Sequence, residues 1–466
     1  MIILGTNSIK DTGYDVANSV RLNGGDSAKF NIDHSGAGNR DLWTFSMWIK
    51  RSGLGAEEPL FNSRPNSNFE TFCGFGANDT LVYKQKNDGS TTGEYVTNRV
   101  FRDVSAWYNL IFVYDKDNGT AGNRGRIYVN GVEETSFATE NNFSDSSTWN
   151  STNTCNIGNS QSAYFDGYMA ELVFIDGQAL TPTSFGEFDE DSGIWKPIDV
   201  SGLTFGTNGF YLDFEDSSNL GNDANGGTDL TEVNLATTDQ STDTCTNNFI
   251  TMNPLDNFFS DFTFSDGNLT ITSGGNYSFP QATIHVAKGK WYWEVKPVSK
   301  ASGGNEYMVG IQGRSSTAIN QAPQQGGNTG IAYYGVDGDS YGFGGGATDY
   351  GDAYAADDII GVALDIDNLK IYFSKNGTFQ NSGDPTSGST GTGALSITAI
   401  SSVPQGGYSP VAGFYDSPEA VLSFNFGSPP YAISSGNADA DGFGNFEFAV
   451  PSGYFALCSK NLAEYG

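Results

Sequence analysis

The stretch from Trp43 to Lys50 reads WTFSMWIK, and its pattern determines the predicted fold class. Apolar and polar side chains alternate along it, apart from Trp48. This alternation predicts a strand, because successive side chains of a strand point to opposite faces. We expect a half-buried antiparallel strand. Its inward face is formed by Trp43, Phe45, Met47 and Ile49, and its outward face by Thr44, Ser46 and Lys50.

Similar patterns recur on both sides of a polar central region, and none has a clear helical period. The dipeptide Asn130-Gly131 after one of these patterns predicts a hairpin turn, because both central residues must accept a positive φ. We therefore predict an all-β protein with two tandem antiparallel β-sandwiches, a concanavalin A-like jelly roll and a SPRY-like sandwich, joined by an ordered connector. The clearest further strand signals cover residues 108–114, 126–129, 169–175, 291–295, 360–366 and 421–426.

The central region is polar and rich in turns, but it contains a strand signal at Phe210–Phe214. That signal lies between the turn-forming runs Gly206–Gly209 and Asn219–Asp223, which indicates an ordered connector rather than a free linker. We expect the C-terminal segment to pack back on this connector. The predicted division is an N-terminal arm (1–17), a jelly roll (18–194), a connector (195–249), a SPRY-like sandwich (250–430) and a C-terminal segment (431–466).

The charge is strongly one-sided, with 54 Asp and Glu residues against 23 Lys and Arg residues and a net charge of -31. Such a surface repels phosphate backbones and anionic lipids, so nucleic-acid and membrane binding are not expected. One interpretation of the charge is solubility; the other is that some carboxylates collect calcium. The N-terminus lacks the basic and apolar regions of a signal peptide, and no run of about 18 apolar residues predicts a membrane span.

Two parts of the chain resemble known families. Residues from about 18 to 190 resemble a laminin-G-type, concanavalin A-like jelly roll, and residues from about 255 to 427 resemble a SPRY domain. The first resemblance rests on FSMWIK at 45–50, WYNL at 107–110, IYVNG at 127–131 and FDGYMAEL at 165–172. The second rests on GKWYWEV at 289–295, VGI at 309–311, DIIGVALD at 358–365, IYFSKNG at 371–377 and FNFG at 424–427.

The tandem of these modules is similar to virion proteins of tailed bacteriophages, especially marine ones. That resemblance implies a tail fibre or another surface appendage, serving attachment or decoration by non-covalent binding. Its implied partners are other virion proteins, further copies of the chain in a homo-oligomer (fibres are commonly trimers) and a host glycan or surface protein. Assembly in the host cytoplasm fits the missing signal peptide. The alternatives are a polysaccharide-degrading tailspike-type glycosidase and a purely structural capsid decoration protein.

Catalytic signals are scarce, so we do not expect an enzyme. The chain has two histidines. His34 lies in a Gly- and Ser-rich turn, and His285 lies within a predicted strand. A glycosidase needs two carboxylates about 5 to 9 Å apart. The nearest candidate is Asp213 with Glu215, because residues two apart on a strand share a face.

Calcium is the cofactor with the most support. Asp115 and Asp117 supply spaced oxygen ligands in the turn DKDNG, and hard cations prefer such ligands. Laminin-G-type modules often hold one calcium ion at the rim. The resemblance therefore implies Asp166, near the closing strand, as a further acidic ligand.

A tyrosine-rich stretch is the predicted binding loop. Exposed tyrosines beside small residues offer rigid contact area with a polar tip, and aromatic faces stack on sugar rings. The alternative is that about half of them belong to the core. The residues are Tyr333, Tyr334, Tyr341, Phe343 and Tyr350. The four cysteines are widely spaced, which is compatible with reduced thiols and neither requires nor excludes disulfides; they are Cys73, Cys155, Cys245 and Cys458.

Overall fold

A computed structural model of the chain describes residues 12–257, 262–274, 279–300, 304, 306–316, 321–322, 327–342, 346–414 and 419–466. Strands account for 42% of the chain and helical segments for 7%, which confirms the all-β prediction. None of the helices in these ranges combines the length and the apolar character that a bilayer crossing requires. Two compact units are present, residues 12–246 and 247–466, and each is described by itself.

The first unit consists of strands joined by turns and short 3-10 segments. The 3-10 segments are Gly24–Asp26, Ala121–Asn123, Pro182–Ser184 and Thr237–Asp239. The strands are β1 (Ser19–Leu22), β2 (Lys29–Ile32), β3 (Leu42–Arg51), β4 (Glu58–Asn66), β5 (Phe69–Phe75), β6 (Thr80–Asn87), β7 (Ser90–Val100), β8 (Trp107–Asp115), β9 (Gly125–Val129), β10 (Val132–Glu133), β11 (Phe137–Asn141), β12 (Cys155–Ile157), β13 (Asn159–Ser160), β14 (Ala163–Tyr164), β15 (Gly167–Asp176), β16 (Gly186–Phe188), β17 (Trp195–Pro197), β18 (Phe210–Leu212), β19 (Thr231–Val233) and β20 (Gln240–Ser241).

Two antiparallel sheets of this unit form the sandwich. One has the strand order β10-β9-β8-β3-β15-β1-β20, with β18 also paired to β15, and the other has the order β11-β7-β6-β5-β4-β12-β2-β19. A continuous cluster of buried apolar side chains draws on both sheets. It includes the predicted inward face of β3, namely Trp43, Phe45, Met47 and Ile49, each of which is fully buried. The predicted alternation is therefore confirmed.

The prediction that β3 is half-buried is wrong. Nine of its ten residues are buried, because the segment that follows β15 covers the outward face. Trp48, the exception to the alternation, packs there with Trp107 and Trp195. Lys50 forms a buried ion pair of 2.7 Å with Asp243, so even the charged outward residue has a partner in the covering segment.

The described part of the predicted N-terminal arm and most of the predicted connector lie in the first unit. Val16 packs in the same cluster as Trp48. The strand signal at Phe210–Phe214 becomes the shorter β18, which pairs with Leu172–Phe174 of β15. Residues 195–246 thus add strands and core contacts to the jelly roll, whereas residues 247–249 lie in the second unit.

The second unit has two sheets within its described residues. The strands are β21 (Thr263–Ser265), β22 (Thr270–Thr272), β23 (Lys290–Ser299), β24 (Tyr307–Gly313), β25 (Thr329–Tyr334), β26 (Asp339–Tyr341), β27 (Ala347–Asp349), β28 (Ile360–Asp365), β29 (Lys370–Lys375), β30 (Thr378–Phe379), β31 (Leu395–Ser396), β32 (Ser409–Phe414), β33 (Val421–Asn425) and β34 (Phe455–Ala456). Helix α1 spans Ser459–Tyr465, and the 3-10 segments are Gln380–Ser382, Pro385–Thr390 and Ile400–Ser402.

One sheet of the second unit has the order β21-β22-β33-β23-β28-β29-β30, with β31 on β29 and β34 on β23. The other has the order β27-β26-β25-β24-β32. The core between them includes Trp291, Trp293 and Val295 of β23, as their alternation predicts. Tyr292 points the other way, into a smaller cluster on the outer face.

The C-terminal segment packs on that outer face. Its strand β34 pairs in parallel with Trp291–Tyr292 of β23. The buried carboxylate of Glu294 accepts hydrogen bonds from the backbone N–H groups of Glu447 and Phe448, at 2.9 and 2.8 Å. The segment meets the end of the predicted connector at Asn248, whose carbonyl accepts a bond from the Ser459 N–H. Residues 431–466 are thereby held on the sheet of their own unit.

Candidate functional site

A cavity of about 300 Å³ lies in the first unit where the chain crosses from one sheet to the other. Strand β18 belongs to the sheet with β15, whereas β19 pairs with β2 of the opposite sheet. The residues between β18 and β19 therefore span the edge of the sandwich. Three segments line the cavity, residues 31–35, residues 207–210 and residues 223 and 227–231, and we call it the connector cavity.

The first segment continues the end of β2. Within the described residues, the buried Nε2 of His34 and Oδ1 of Asn31 have no hydrogen-bond partner. A buried polar atom without a partner costs about 1–3 kcal/mol of stability, because its hydrogen bonds to water are lost on folding. Burial lowers the pKa of His34 below its ordinary value, although Asp176 and Asp33 act in the opposite direction. Burial therefore favours the neutral imidazole.

The second segment is the turn Gly206–Gly209, which is held against the end of β15. The carboxylate of Asp176 accepts hydrogen bonds from the backbone N–H of Asn208, at 3.1 Å, and from the Asn150 side chain, at 2.7 Å. Gly206 has a φ of +84°, and a Cβ there would collide with the Asp176 carbonyl. Only glycine fits such a position without strain. The glycine allows the turn to lie close against the strand end.

The third segment is organised by Asp223. This buried carboxylate accepts backbone N–H groups of Tyr211, Asn225 and Gly227 at 2.9, 3.0 and 3.0 Å. Asp229 in turn accepts the N–H of Asp223 at 3.1 Å. The turn between β18 and β19 is thus closed by its own side chains, which keeps the cavity wall in place.

The accessible surface of the connector cavity is mainly polar. Ile32, Phe210 and Leu230 line it but are core residues, at most 6% exposed. The exposed lining residues are polar apart from a glycine, namely Asp33, Ser35, Thr207, Gly227, Thr228, Asp229 and Thr231. In a ligand site, polar groups of this kind fix the orientation of the bound molecule.

The predicted calcium ligands are not brought together. Asp115 pairs with Leu42 at one end of β3, whereas Gly167, which follows Asp166, pairs with Arg51 at the other end. Nine residues of strand separate these ends, or roughly 30 Å. The prediction that Asp166 shares a calcium site with Asp115 and Asp117 is therefore wrong. Asp166 instead accepts the Gly24 N–H at 2.5 Å.

The turn that carries Asp115 and Asp117 is occupied by local contacts. Asp115 accepts a bond from the Asn118 side chain at 2.9 Å, and Asp117 lies 3.3 Å from the Lys116 Nζ with 82% of its side chain exposed. No group of three or more metal-ligating side chains occurs within the described ranges. Calcium binding by these two residues stays a prediction.

The predicted tyrosine loop is divided by strand alternation. Tyr333 and Tyr350 are core residues whose rings meet edge to face at 5.7 Å, so their prediction as contact residues is wrong. Burial raises the pKa of Tyr350 to about 12. Tyr334 and Tyr341 are half-buried on the other face of the same sheet, with ring centroids 5.5 Å apart. Phe343 lies outside the described residues.

The predicted carboxylate pair does not share a strand face. Strand β18 ends at Leu212, and Phe214 has a φ of +60°, so Asp213 and Glu215 lie in a turn in which Asp213 accepts the Glu215 N–H at 3.1 Å. His285 bonds to Gln405 at 3.0 Å in the second unit. The cysteines are all free thiols, with Cys73, Cys155 and Cys458 buried and Cys245 partly buried.

The connector cavity itself is absent from the sequence-based predictions. Its parts were visible as polar turns, at residues 33–36, 206–209 and 219–223. What was not visible is the pairing of Thr231 with Asn31, which joins residues 200 positions apart. A turn shows its local conformation in its composition, but it does not show which strand it lies against.

Comparisons with known proteins assign both modules. Residues 23–184 match the concanavalin A-like lectin/glucanases superfamily, and residues 290–429 match the SPRY domain family. No curated protein matches the chain.

Three solved structures illustrate the similarities. The SPRY domain of human HERC1 is 18% identical with a TM-score of 0.29, covering 37% of this chain and 96% of that chain. Domains LG4-5 of the mouse laminin alpha1 chain are 10% identical with a TM-score of 0.30, covering 96% and 88%. Domain 4 of AbnA, an extracellular arabinanase from Geobacillus stearothermophilus solved with arabinotriose, is 19% identical with a TM-score of 0.26, covering 35% and 73%.

The family matches lie inside the two sandwiches, and the match of the first module is to a superfamily of lectins and glucanases. The chain therefore carries a laminin-G-type, concanavalin A-like domain at residues 23–184 and a SPRY domain at residues 290–429.

Proposed function

We propose that this protein binds saccharides without cleaving them, and that the connector cavity is the ligand site. The observation that carries the proposal is the composition of that cavity: an exposed lining of hydroxyl and carboxylate side chains around a volume of about 300 Å³, in a unit of lectin-like fold. Sugars present a matching surface, because their hydroxyls both donate and accept hydrogen bonds.

The state of the carboxylates supports binding rather than hydrolysis. Glycosidases use one carboxyl group as an acid and a second as a base or nucleophile. In the connector cavity, the Asp223 carboxylate is engaged by three backbone N–H groups. These bonds engage both carboxylate oxygens and leave Asp223 a structural role. Asp229 bonds to the same turn, which favours a structural contribution from it as well.

A bulky residue at the rim tests the site. Ser35 is exposed and lines the cavity, so Ser35→Trp fills the space without disturbing the core. We expect glycan-array binding by the full chain to fall at least tenfold in the variant, because a blocked pocket loses its contacts. The control is Ser162→Trp, in the exposed turn between β13 and β14. Equal binding by all three proteins contradicts the site, and shortening of a polysaccharide on incubation contradicts the non-catalytic role.

We further propose that the protein resides on the surface of a tailed-phage virion, assembled with other virion proteins and as a homo-oligomer. The tandem of a laminin-G-type and a SPRY module and the strongly acidic composition support this location. Immunogold labelling of purified particles tests it. Labelled tails or heads are the expected result, and unlabelled particles whose proteome lacks the chain contradict it.

A further inference from the structure

The charge of the connector cavity restricts its ligand. Three carboxylates lie among its lining residues, at Asp33, Asp223 and Asp229, and none of those residues is Lys or Arg. Burial of His34, the one titratable base among them, lowers its pKa and so favours the uncharged imidazole. The cavity therefore has a negative potential, in a chain whose net charge is already -31.

The three carboxylates differ in their availability. Asp223 is buried and engaged by backbone N–H groups. Asp229 is exposed, with one oxygen bonded to the Asp223 N–H and the other to the Asn219 side chain at 2.9 Å. Asp33 is exposed, and the Thr154 hydroxyl engages its Oδ1 at 2.7 Å. Asp33 is therefore the carboxylate best placed to meet a ligand.

Hydrogen bonding favours the same kind of ligand. The exposed lining residues Asp33 and Asp229 present carboxylate oxygens, which accept hydrogen bonds and do not donate them. A carboxylate or sulfate on a sugar would add acceptors and negative charge to a wall that already has an excess of both. A protonated amine provides three N–H donors and a positive charge.

We infer that the connector cavity selects a saccharide bearing a free, protonated amino group, such as a de-N-acetylated hexosamine, over neutral sugars and against uronic acids. This inference rests on the proposed function, because it names the ligand class of the same site. The cation would lie at the rim beside Asp33, with the sugar hydroxyls toward the polar side chains of the lining.

Calorimetric titration of the full chain tests the selectivity with three tetrasaccharides, of glucosamine, N-acetylglucosamine and galacturonic acid. We expect the glucosamine tetramer to bind about fivefold more tightly than its acetylated form, since an exposed ion pair contributes up to about 1 kcal/mol. The uronate tetramer should not bind. The preference for the amine should decrease as salt is raised from 50 to 500 mM, because salt screens exposed charges.

Two Asp→Asn variants identify the carboxylate responsible. Asp33→Asn keeps the side-chain shape and should abolish the fivefold preference. Asp103→Asn is the control and should keep the preference for the amine. It removes another exposed charge, which lies just before β8 begins, whereas Asp115 lies where β8 ends. Ser35→Trp should abolish binding of the amine, which separates the cavity from non-specific attraction to an acidic surface.

The failures are distinguishable. If both hexosamine tetramers bind equally, or if Asp33→Asn keeps the preference, the amine selectivity is wrong while the proposed saccharide site stands. If Ser35→Trp binds the glucosamine tetramer as well as the wild type does, the tetramer does not bind in the cavity, and both the selectivity and the proposed site are wrong. If no tetramer binds at millimolar concentration, both the selectivity and the cavity's proposed function are wrong.

Discussion

Glu171 occupies a bulge in β15, where pairing with β3 shifts register between Ala170 and Val173. Its φ of +49° is unusual for a residue with a side chain and costs on the order of 1 kcal/mol. The buried carboxylate accepts bonds from the Tyr211 hydroxyl, at 2.8 and 2.9 Å to its two oxygens. A strand bulge and a segment of the connector thus meet at one acidic side chain.

Burial raises the pKa of Glu171 from 4.5 to about 7 and outweighs the lowering of that pKa by the hydrogen bonds from Tyr211 and Tyr14. The nearby Asp213 and Glu215 carboxylates add a smaller increase. Because the folded pKa lies above the unfolded one, the protonated form favours folding. This contribution is full below about pH 4.5 and is lost as the pH rises through about 7. It amounts to roughly 3 kcal/mol.

We therefore expect the free energy of unfolding of the wild type to decrease from pH 5 to pH 8 by roughly 3 kcal/mol more than that of Glu171→Gln. Urea unfolding of both proteins at the two pH values measures the difference. Taking the difference between variant and wild type removes the contributions of the histidines and of other carboxylates. Parallel pH profiles would show that Glu171 is already ionised in the folded state.

The hairpin between β9 and β10 shows how an element depends on its neighbours. Asn130 and Gly131 have φ values of +49° and +77°, as the predicted turn requires. Gly131 has a second role that the turn pattern does not indicate, because a Cβ there would collide with the Trp195 ring. The Trp195 ring, at the start of strand β17, therefore packs against the hairpin at Gly131, in the space that a side chain would fill.

Gly131→Ala and Gly193→Ala separate these two roles. Gly193 also has a positive φ, +70°, but nothing lies within 4 Å of a Cβ built there. We expect Gly193→Ala to cost about 1 kcal/mol of stability through backbone strain alone. Gly131→Ala should cost a further 1–3 kcal/mol, because the Trp195 ring must shift. Equal losses in thermal unfolding would mean that Trp195 moves freely.

On the scale of the whole molecule, the predicted connector is part of the first unit's core. Phe205 is 4% exposed and belongs to a cluster with Ile111, Val173 and Tyr211 on the outer face of the sheet. A free linker would add nothing to the free energy of unfolding. A segment that covers the sheet adds to it, because its buried apolar side chains act as core residues. The distinction is measurable with one buried and one exposed phenylalanine.

Phe205→Ala should lower the free energy of unfolding of the first unit by about 3–5 kcal/mol, the usual cost of removing a buried phenylalanine. The matched control is Phe188→Ala, because Phe188 is 49% exposed and should cost less than about 1 kcal/mol. Scanning calorimetry of the full chain follows both variants. A silent Phe205→Ala would mean that the segment does not stabilise the unit.

The sequence alone determined the strand faces, the hairpin turns and the two modules. These features are local: alternation of side chains and positive φ at Asn-Gly depend on residues a few positions apart. The predicted inward residues Trp43 and Trp293 are core residues for this reason. Family resemblance also depends on such local patterns, and both domain assignments were available from them.

Tertiary structure alone decided which faces are covered and which turns meet. The outward face of β3 is buried because residues about 200 positions later return to it, as the Lys50–Asp243 pair shows. Asp115 and Asp166 are separated, while Asn31 and Thr231 are joined, by the pairing order of strands. Pairing between distant strands is set by the packing of the whole core, so no local pattern contains the connector cavity.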